Sequence, residues 1–479
     1  MSVRKVDVAE TITPVQRKFK KVRQVIDSAE SLLKDEKAIA AKAVPVIGEL
    51  IQVTKALVNQ LGLNSGNSSI PPSRDPNRAK KGWKVKGKKR KPGGQKGHKG
   101  SYLQKVDRPD EVEELWIDRR SLPKGDYERV GFESRQVFDV EFSVRVTEYR
   151  AEILKDRRGQ QFVAEFPDGV TELAQYGDSV KAHSVYLSQF QMIPLQRVTD
   201  YFVGQVGLSV SKGSVANFNA LAAGKLGWFA PWAKRQLIGS SVMNADETGI
   251  NIDGKGHWLH CLSSDRATLF HVDTKRGLEA MERMGVLPRF RGVLVHDHWK
   301  PYLTYDDCKH SLCNAHHLRE LERAFEQDGQ RWAKQMAELL DTINDAVHAA
   351  GGKLPKKEAK KFRNEYRRIL RKARRECPDS GKRAQSKSRN LLVRLKKFEK
   401  EVLRFMGAKE IPFTNNQGER DIRMTKVQQK ISGCFRSIDG ARNFALIRSY
   451  LLTCQKKGID PAAALKMLFD GKRPPFASS

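Results

Sequence analysis

Apolar residues recur at three-and-four spacing from 14 to 62. Val22, Val25, Ile26, Ala29, Leu32 and Leu33 form one stripe, and Val46, Ile47, Leu50, Ile51 and Leu57 a second, which predicts helix. Pro45 interrupts the pattern. The stripe reads either as packing on the body of the protein or as a coiled-coil or hairpin contact with a second copy, so a homo-oligomer, most simply a dimer, is the expected assembly. Between Gln136 and Glu148 the period drops to two, with Phe138, Val140, Phe142, Val144 and Val146 on one face; this predicts a strand within a small β domain.

The stretch 194–222 reads as a helix, a glycine turn at Gly207 and a second helix capped by Ser211, a helix-turn-helix pattern. Strands follow at 241–252, 256–263 and 267–273, joined by Asp253-Gly254 and Ser264-Asp265 turns. A helix at about 277–287 leads to a further strand at 292–299. A long, mostly helical region spans 315–405, another helix begins near Asn415, and Ile459 to Ser479 is a short helix and a Pro-rich tail.

Charge sharpens this picture. The chain of 479 residues carries a formal net charge of +32, more than solubility requires and suited to a polyanion such as nucleic acid. It is also localised. Residues 71–100 hold 12 basic residues against one acidic, and residues 353–400 hold 20 against five, so these 78 residues supply 26 of the 32 net charges. The first block, rich in Ser, Pro and Gly, has the composition of a flexible tether. It also reads as an arm that orders on DNA, with Lys80, Lys81, Lys84, Lys86, Lys88, Lys89, Arg90, Lys91, Lys96, His98 and Lys99 for phosphates and Trp83 for stacking. In the second helix of the helix-turn-helix, Lys212, Ser214 and Asn217 are the candidates for reading base edges. No apolar run approaches a membrane span and the N-terminus lacks a signal-peptide pattern, so no membrane partner is expected. Six scattered cysteines form no disulfide framework and suit a reducing cytoplasm.

Against that basic background, 241-SVMNADETGINID-253 sets an acidic pair inside an apolar run. Alternation along the strand puts Asn244, Asp246 and Thr248 on one face and Glu247 on the other. In 292-GVLVHDHW-299, Asp297 ends the apolar run of its strand, where α/β sheets place ligands. The helix in 414-TNNQGERDIRMTKVQQKISG-433 carries Glu419 near its start, with Ile422 and Arg423 on the same face and Lys430 three turns on. Thr414 and Gln417 suggest a capping box and Gly433 a stop. If that helix packs beside the two strands, Asp246, Asp297 and Glu419 converge into an oxygen-ligand site for Mg²⁺, with Mn²⁺ as substitute. Two such ions would suit in-line phosphodiester chemistry.

The ordered series SSIPPSRD (Ser68 to Asp75), KPGGQKGHKG (Lys91 to Gly100), ADETG (Ala245 to Gly249), HDHWKPY (His296 to Tyr302), CNAHHLREL (Cys313 to Leu321) and NNQGERDIR (Asn415 to Arg423) closely resembles the transposases of the insertion sequence family 66. The resemblance implies an RNase H-like catalytic domain with a DDE triad of Asp246, Asp297 and Glu419, a helical insertion before the Glu, and cut-and-join chemistry on transposon ends and target DNA. It suggests Thr248, Trp299, Tyr302, His316, Arg319, Asn416, Arg420, Arg423 and Lys430 as supporting residues. It also implies a bacterial, nucleoid-associated setting, with accessory proteins from the same element as possible partners.

The expected fold class is thus multidomain α+β. A helical, coiled-coil-like segment (1–64) and a basic flexible DNA-binding arm (65–100) precede a small β domain (101–180) and a helix-turn-helix-like unit (181–238). An RNase H-like α/β catalytic domain (239–325 and 406–455) is split by a basic helical insertion (326–405), and a tail (456–479) follows. Family members usually carry paired zinc-ribbon cysteines between the GGQxGH segment and the helix-turn-helix, whereas residues 101–193 here contain none. No structural zinc is therefore expected there. Cys308, Cys313, His316 and His317 offer another spacing for zinc. Two other functions compete with transposition: an RNase H-like nuclease that cuts without joining, and a non-catalytic DNA-binding protein derived from a transposase.

Overall fold

The computed structural model describes residues 26, 27, 29, 43–64, 67, 68, 75, 77, 103–379, 381 and 385–477. The basic arm from Lys80 to Lys99 and most of the first apolar stripe lie outside the described residues. Helix α1 (Ala43–Leu61) carries Pro45 in its first turn, where the missing N–H has no intrahelical partner to lose. Its Ile51 and Val58 are buried while Leu50, Leu57 and Leu61 are exposed.

The alternating stretch at 136–148 does not form a strand. Between 103 and 174 the only ladder is a short hairpin of β1 (Ile153–Lys155) and β2 (Gln161–Val163). Val137, Phe138, Val140, Phe142, Val144 and Val146 are all exposed, so the predicted small β domain is reduced to that hairpin. Alternation marks a chain suited to half-buried pairing, but a strand exists only where a second backbone accepts its hydrogen bonds.

Two helices joined through Gly207 occupy the stretch read as a helix-turn-helix. Helices α2 (Asp178–Val185) and α3 (Leu195–Tyr201) each run into a π-helical turn, and Gly207, at φ 72°, ends the second of these. Helix α4 (Lys212–Lys225) follows, with the Ser211 hydroxyl accepting from Ser214 N–H at 2.9 Å. Val215, Phe218, Ala222 and Ala223 face the core, leaving Lys212 and Asn217 exposed and Ser214 half-buried.

After α5 (Phe229–Ile238) comes the central sheet. Strands β3 (Val242–Ile252), β4 (Lys255–Ser263) and β5 (Thr268–Asp273) form an antiparallel meander. Asp253 and Gly254 make the first turn with φ 48° and 75°, the pair of positive values a two-residue hairpin requires. Helix α6 (Leu278–Met284) returns the chain to β6 (Val293–His296), which pairs parallel to β3, and β7 (Lys309–Leu312) pairs parallel to β6. The sheet order is β5-β4-β3-β6-β7.

Helices then build a separate core. It draws on α7 (Asn314–Asp328), α8 (Arg331–Ala349), α9 (Lys356–Glu376), α10 (Lys387–Lys397) and α11 (Glu399–Val402), with Trp332, Tyr366, Leu395 and Phe405 buried among them. On α9 the apolar stripe of Tyr366, Ile369, Leu370 and Ala373 is buried, and the lysines and arginines occupy the remaining face. The chain re-enters the sheet domain as α12 (Asn416–Ser432), α13 (Ile438–Lys456) and α14 (Pro461–Phe469). One sheet face, with Met243, Ala245, Leu262 and Leu269, packs with Phe229, Ile447 and Tyr450. The other, with Ile250, Leu259, Cys261 and Phe270, packs with Ile422, Phe435 and Phe444. Among the described residues no helix is long and apolar enough to cross a membrane.

Candidate active site

Parallel pairing of β3 with β6 aligns Val242, Met243 and Asn244 with Val293, Leu294 and Val295. Two residues further along each chain stand Asp246 and Asp297, so the register brings the two carboxylates to adjacent positions at the C-terminal end of β6. The Asp297 carboxylate accepts from Trp299 N–H at 2.9 Å, which fixes the turn leaving the strand. Asp246 accepts from Glu247 N–H, also at 2.9 Å.

Glu419 comes from the first turn of α12. The helix starts at Asn416, and the capping box expected from Thr414 and Gln417 does not form. Asn415 occupies the cap position without capping. Its side chain instead donates to the Ala245 carbonyl at 2.8 Å and accepts from the Asn244 amide at 2.7 Å, while its backbone N–H points to Cys313 Sγ at 3.1 Å. A fully buried amide with these partners outweighs a local cap. Gln417 is drawn to Asp421 at 2.8 Å. A Cβ on Gly418 would stand 3.2 Å from Asn415 Oδ1 and 3.5 Å from Asn244 Cβ, so glycine permits this close approach of helix and strand.

The electrostatic cost of this arrangement falls on Asp246. Burial, reinforced by the negative charges of Glu247, Glu419 and Asp297, pushes the Asp246 carboxyl up to about 8. Glu419 Oε1 is buried with no hydrogen-bond partner, 3.9 Å from His316 Nδ1, which is itself buried and unpartnered. Orphaned acceptors and mutually repelling carboxylates are what a hard divalent cation relieves, so the donor set fits Mg²⁺ or Mn²⁺. Cys313, His316 and Glu419 also bring three potential ligand atoms within 4.8 Å of one another. The zinc spacing considered from sequence is split: Cys308 lies beside His310 at 3.9 Å and His317 turns to Asn314 at 3.2 Å.

Glu247 does take the opposite face. Its carboxylate accepts from Arg276 at 2.7 Å and from the Tyr302 hydroxyl at 2.5 Å, and Arg276 is sandwiched between the rings of Trp258 and Trp299, 4.8 and 4.5 Å from their centroids. Trp299 and Tyr302 thus brace the second acid of the pair beneath the first. Thr248 is half-buried on the Asp246 face. Asn416, Arg420, Arg423 and Lys430 are exposed along α12, and it is the neighbouring Asn415 that reaches the strand.

Sequence reasoning also missed Asp421, buried on α12. It accepts from Ser263 at 2.7 Å and Thr268 at 2.9 Å and pairs with Lys456 at 3.1 Å, tying α12 to β4, β5 and α13. The only available signal was position: Asp421 lies two residues after Glu419 and Gln417 two before it, and nothing local separates ligand from strut. Arg276 carried no signal at all.

Comparison with known proteins supplies the family. Residues 20–104 match the Family of unknown function (DUF6444), and no curated protein matches the chain. Residues 174–443, which include Asp246, Asp297 and Glu419 and more than half of the chain, match the Transposase IS66 family. The chain belongs to the Transposase IS66 family.

Proposed function

We propose that this transposase binds the ends of a mobile element and performs metal-dependent DNA strand cleavage and strand transfer with Asp246, Asp297 and Glu419. Family membership supports transposition, DNA as substrate and a general use of divalent metal ions. The observation that carries the finer reading is the register of β3 on β6, which sets Asp246 beside Asp297, together with the Asn415 contacts that bring Glu419 to the same edge. A three-stranded meander extended by two parallel strands, with acids on the first and fourth, is the frame we assign to the RNase H-like domain.

Asp246, Asp297 and Glu419 would hold Mg²⁺, and bound divalent cations activate an attacking oxygen and stabilise the leaving one. The protein's own groups do the rest. The Glu247–Arg276–Tyr302 assembly fixes the strand beneath Asp246, and the exposed basic faces hold phosphate backbone. Incubating the purified protein with labelled DNA from either side of its coding sequence, a target plasmid and Mg²⁺ tests this. Cleavage together with joined products is the expected result; cleavage alone would leave a nuclease, and binding alone a non-catalytic derivative.

A further inference from the structure

The end of β6, the first turns of α7 and the insertion helix α10 enclose a cavity of about 320 Å³ beside the triad, with Asp297, His298, His316, Arg319 and Arg394 in its lining. Its polar atoms are unusually unsatisfied. Arg319 Nε, Arg394 Nε, His298 Nε2 and His316 Nδ1 are all buried without a hydrogen-bond partner. Arg394 is nonetheless held, because its terminal nitrogen pairs with Glu320. Arg319 makes no ion pair among the described residues. The two guanidinium Nε–H groups are donors whichever tautomers the histidines adopt, so this lining favours a ligand rich in acceptors.

We propose that this cavity is a subsite for a backbone phosphate of the DNA strand being cut, next to the phosphate at the carboxylates, with Arg319 as its principal contact. This rests on the reading of the chain as a DNA strand-cutting enzyme. A guanidinium offers a fork of N–H donors that matches two phosphate oxygens, and the half-buried position of Arg319 strengthens that contact. Asp297 in the same lining repels a free, doubly charged phosphate. A phosphodiester carries a single charge and is delivered by its own strand, so the cavity selects polymer over free anion. Arg394 brings the insertion into the same site, which gives α10 a role in seating substrate in addition to its basic surface.

The test is equilibrium binding of the full-length protein to duplexes taken from the DNA flanking its coding sequence, with one uncharged methylphosphonate walked along the strand. At one position wild-type affinity falls about tenfold, the scale of one charge-assisted contact, and Arg319→Gln shows the same loss on unmodified DNA but none further at that position. Arg319→Lys, which keeps the charge and loses the fork, falls between. Arg319→Gln also melts no lower than wild type, because Arg319 has no hydrogen-bond or ion-pair partner to lose among the described residues, whereas a structural role would lower its melting temperature. Inorganic phosphate does not compete. Additive losses at every position, or competition by inorganic phosphate, would overturn the assignment. Absence of cleavage by the wild type would count against the proposed function and leave this binding result standing.

Discussion

The side-chain amide of Asn415 donates to the backbone carbonyl of Ala245 at 2.8 Å, joining the helix that bears Glu419 to the strand that bears Asp246. The two acids lie 173 positions apart in sequence, and this bond, with its reciprocal from Asn244 at 2.7 Å, holds them together. Asn415→Ala should therefore lower the cleavage rate about a hundredfold, the scale on which misplacing reacting groups acts, while affinity for DNA stays within twofold. Unfolding free energy should fall by about 1–3 kcal/mol as the Ala245 carbonyl and Asn244 amide are left unpaired. Single-turnover cleavage with denaturant unfolding measures both, and unchanged cleavage would remove Asn415 from the positioning of Glu419.

Replacing Asp246 or Asp297 by Asn, or Glu419 by Gln, should abolish cleavage and strand transfer and leave DNA affinity nearly unchanged, since each removes a metal-binding charge and keeps the shape. Mn²⁺ should support the wild type. Full strand transfer by any one variant would exclude that residue from the triad.

Without metal, the contribution of the Asp246 carboxyl to stability should fall as pH rises. Asp246 has its carboxyl pushed from 3.8 up to about 8, so the folded chain keeps a proton there that the unfolded chain releases. Its stability contribution is present below pH 4 and declines between about 4 and 8. Asp246→Asn should flatten that decline and melt higher than metal-free wild type at pH 8. Added Mg²⁺ should raise the melting temperature of the wild type and leave the variant almost unmoved. Parallel pH profiles for the two proteins would contradict the burial of this charge.

The Asp421–Lys456 pair, both side chains largely buried, should be costly to break from one side. Lys456→Met leaves a buried carboxylate uncompensated and should destabilise by about 3–5 kcal/mol. Adding Asp421→Asn to it should recover part of the loss, because the orphaned charge is gone. Urea unfolding of the two singles and the double reads the coupling, and strict additivity would mean that the pair does not interact.

For DNA recognition, neutralising several lysines within 80–99 or 353–400 should weaken binding to all sequences and flatten the dependence of log affinity on log salt. Substitutions at Lys212, Ser214 or Asn217 should instead reduce preference for element ends over random DNA. Competitive binding across a salt series separates the two. If deletion of 78–100 removes end preference while the α4 substitutions leave it intact, the arm is the reader.

What the sequence by itself determined was whatever is encoded between near neighbours. The meander β3 to β5, its Asp253-Gly254 turn, the Ser211 cap and the opposite facing of Asp246 and Glu247 all follow from periodicity and turn chemistry over a few residues. The tertiary structure decided the rest, because it depends on partners distant along the chain. The alternation at 136–148 found no backbone to pair with and left its apolar residues exposed. Thr414 lost the cap position to Asn415, since two contacts to a buried strand outweigh one local hydrogen bond. Asp421 reads as an ordinary surface acid until Ser263, Thr268 and Lys456 close around it. Glu247 acquires its brace only when a loop brings Arg276 between two tryptophans. Spacing could nominate the acids of the site, but their convergence required the parallel register of β3 on β6 and the return of the chain after a long insertion.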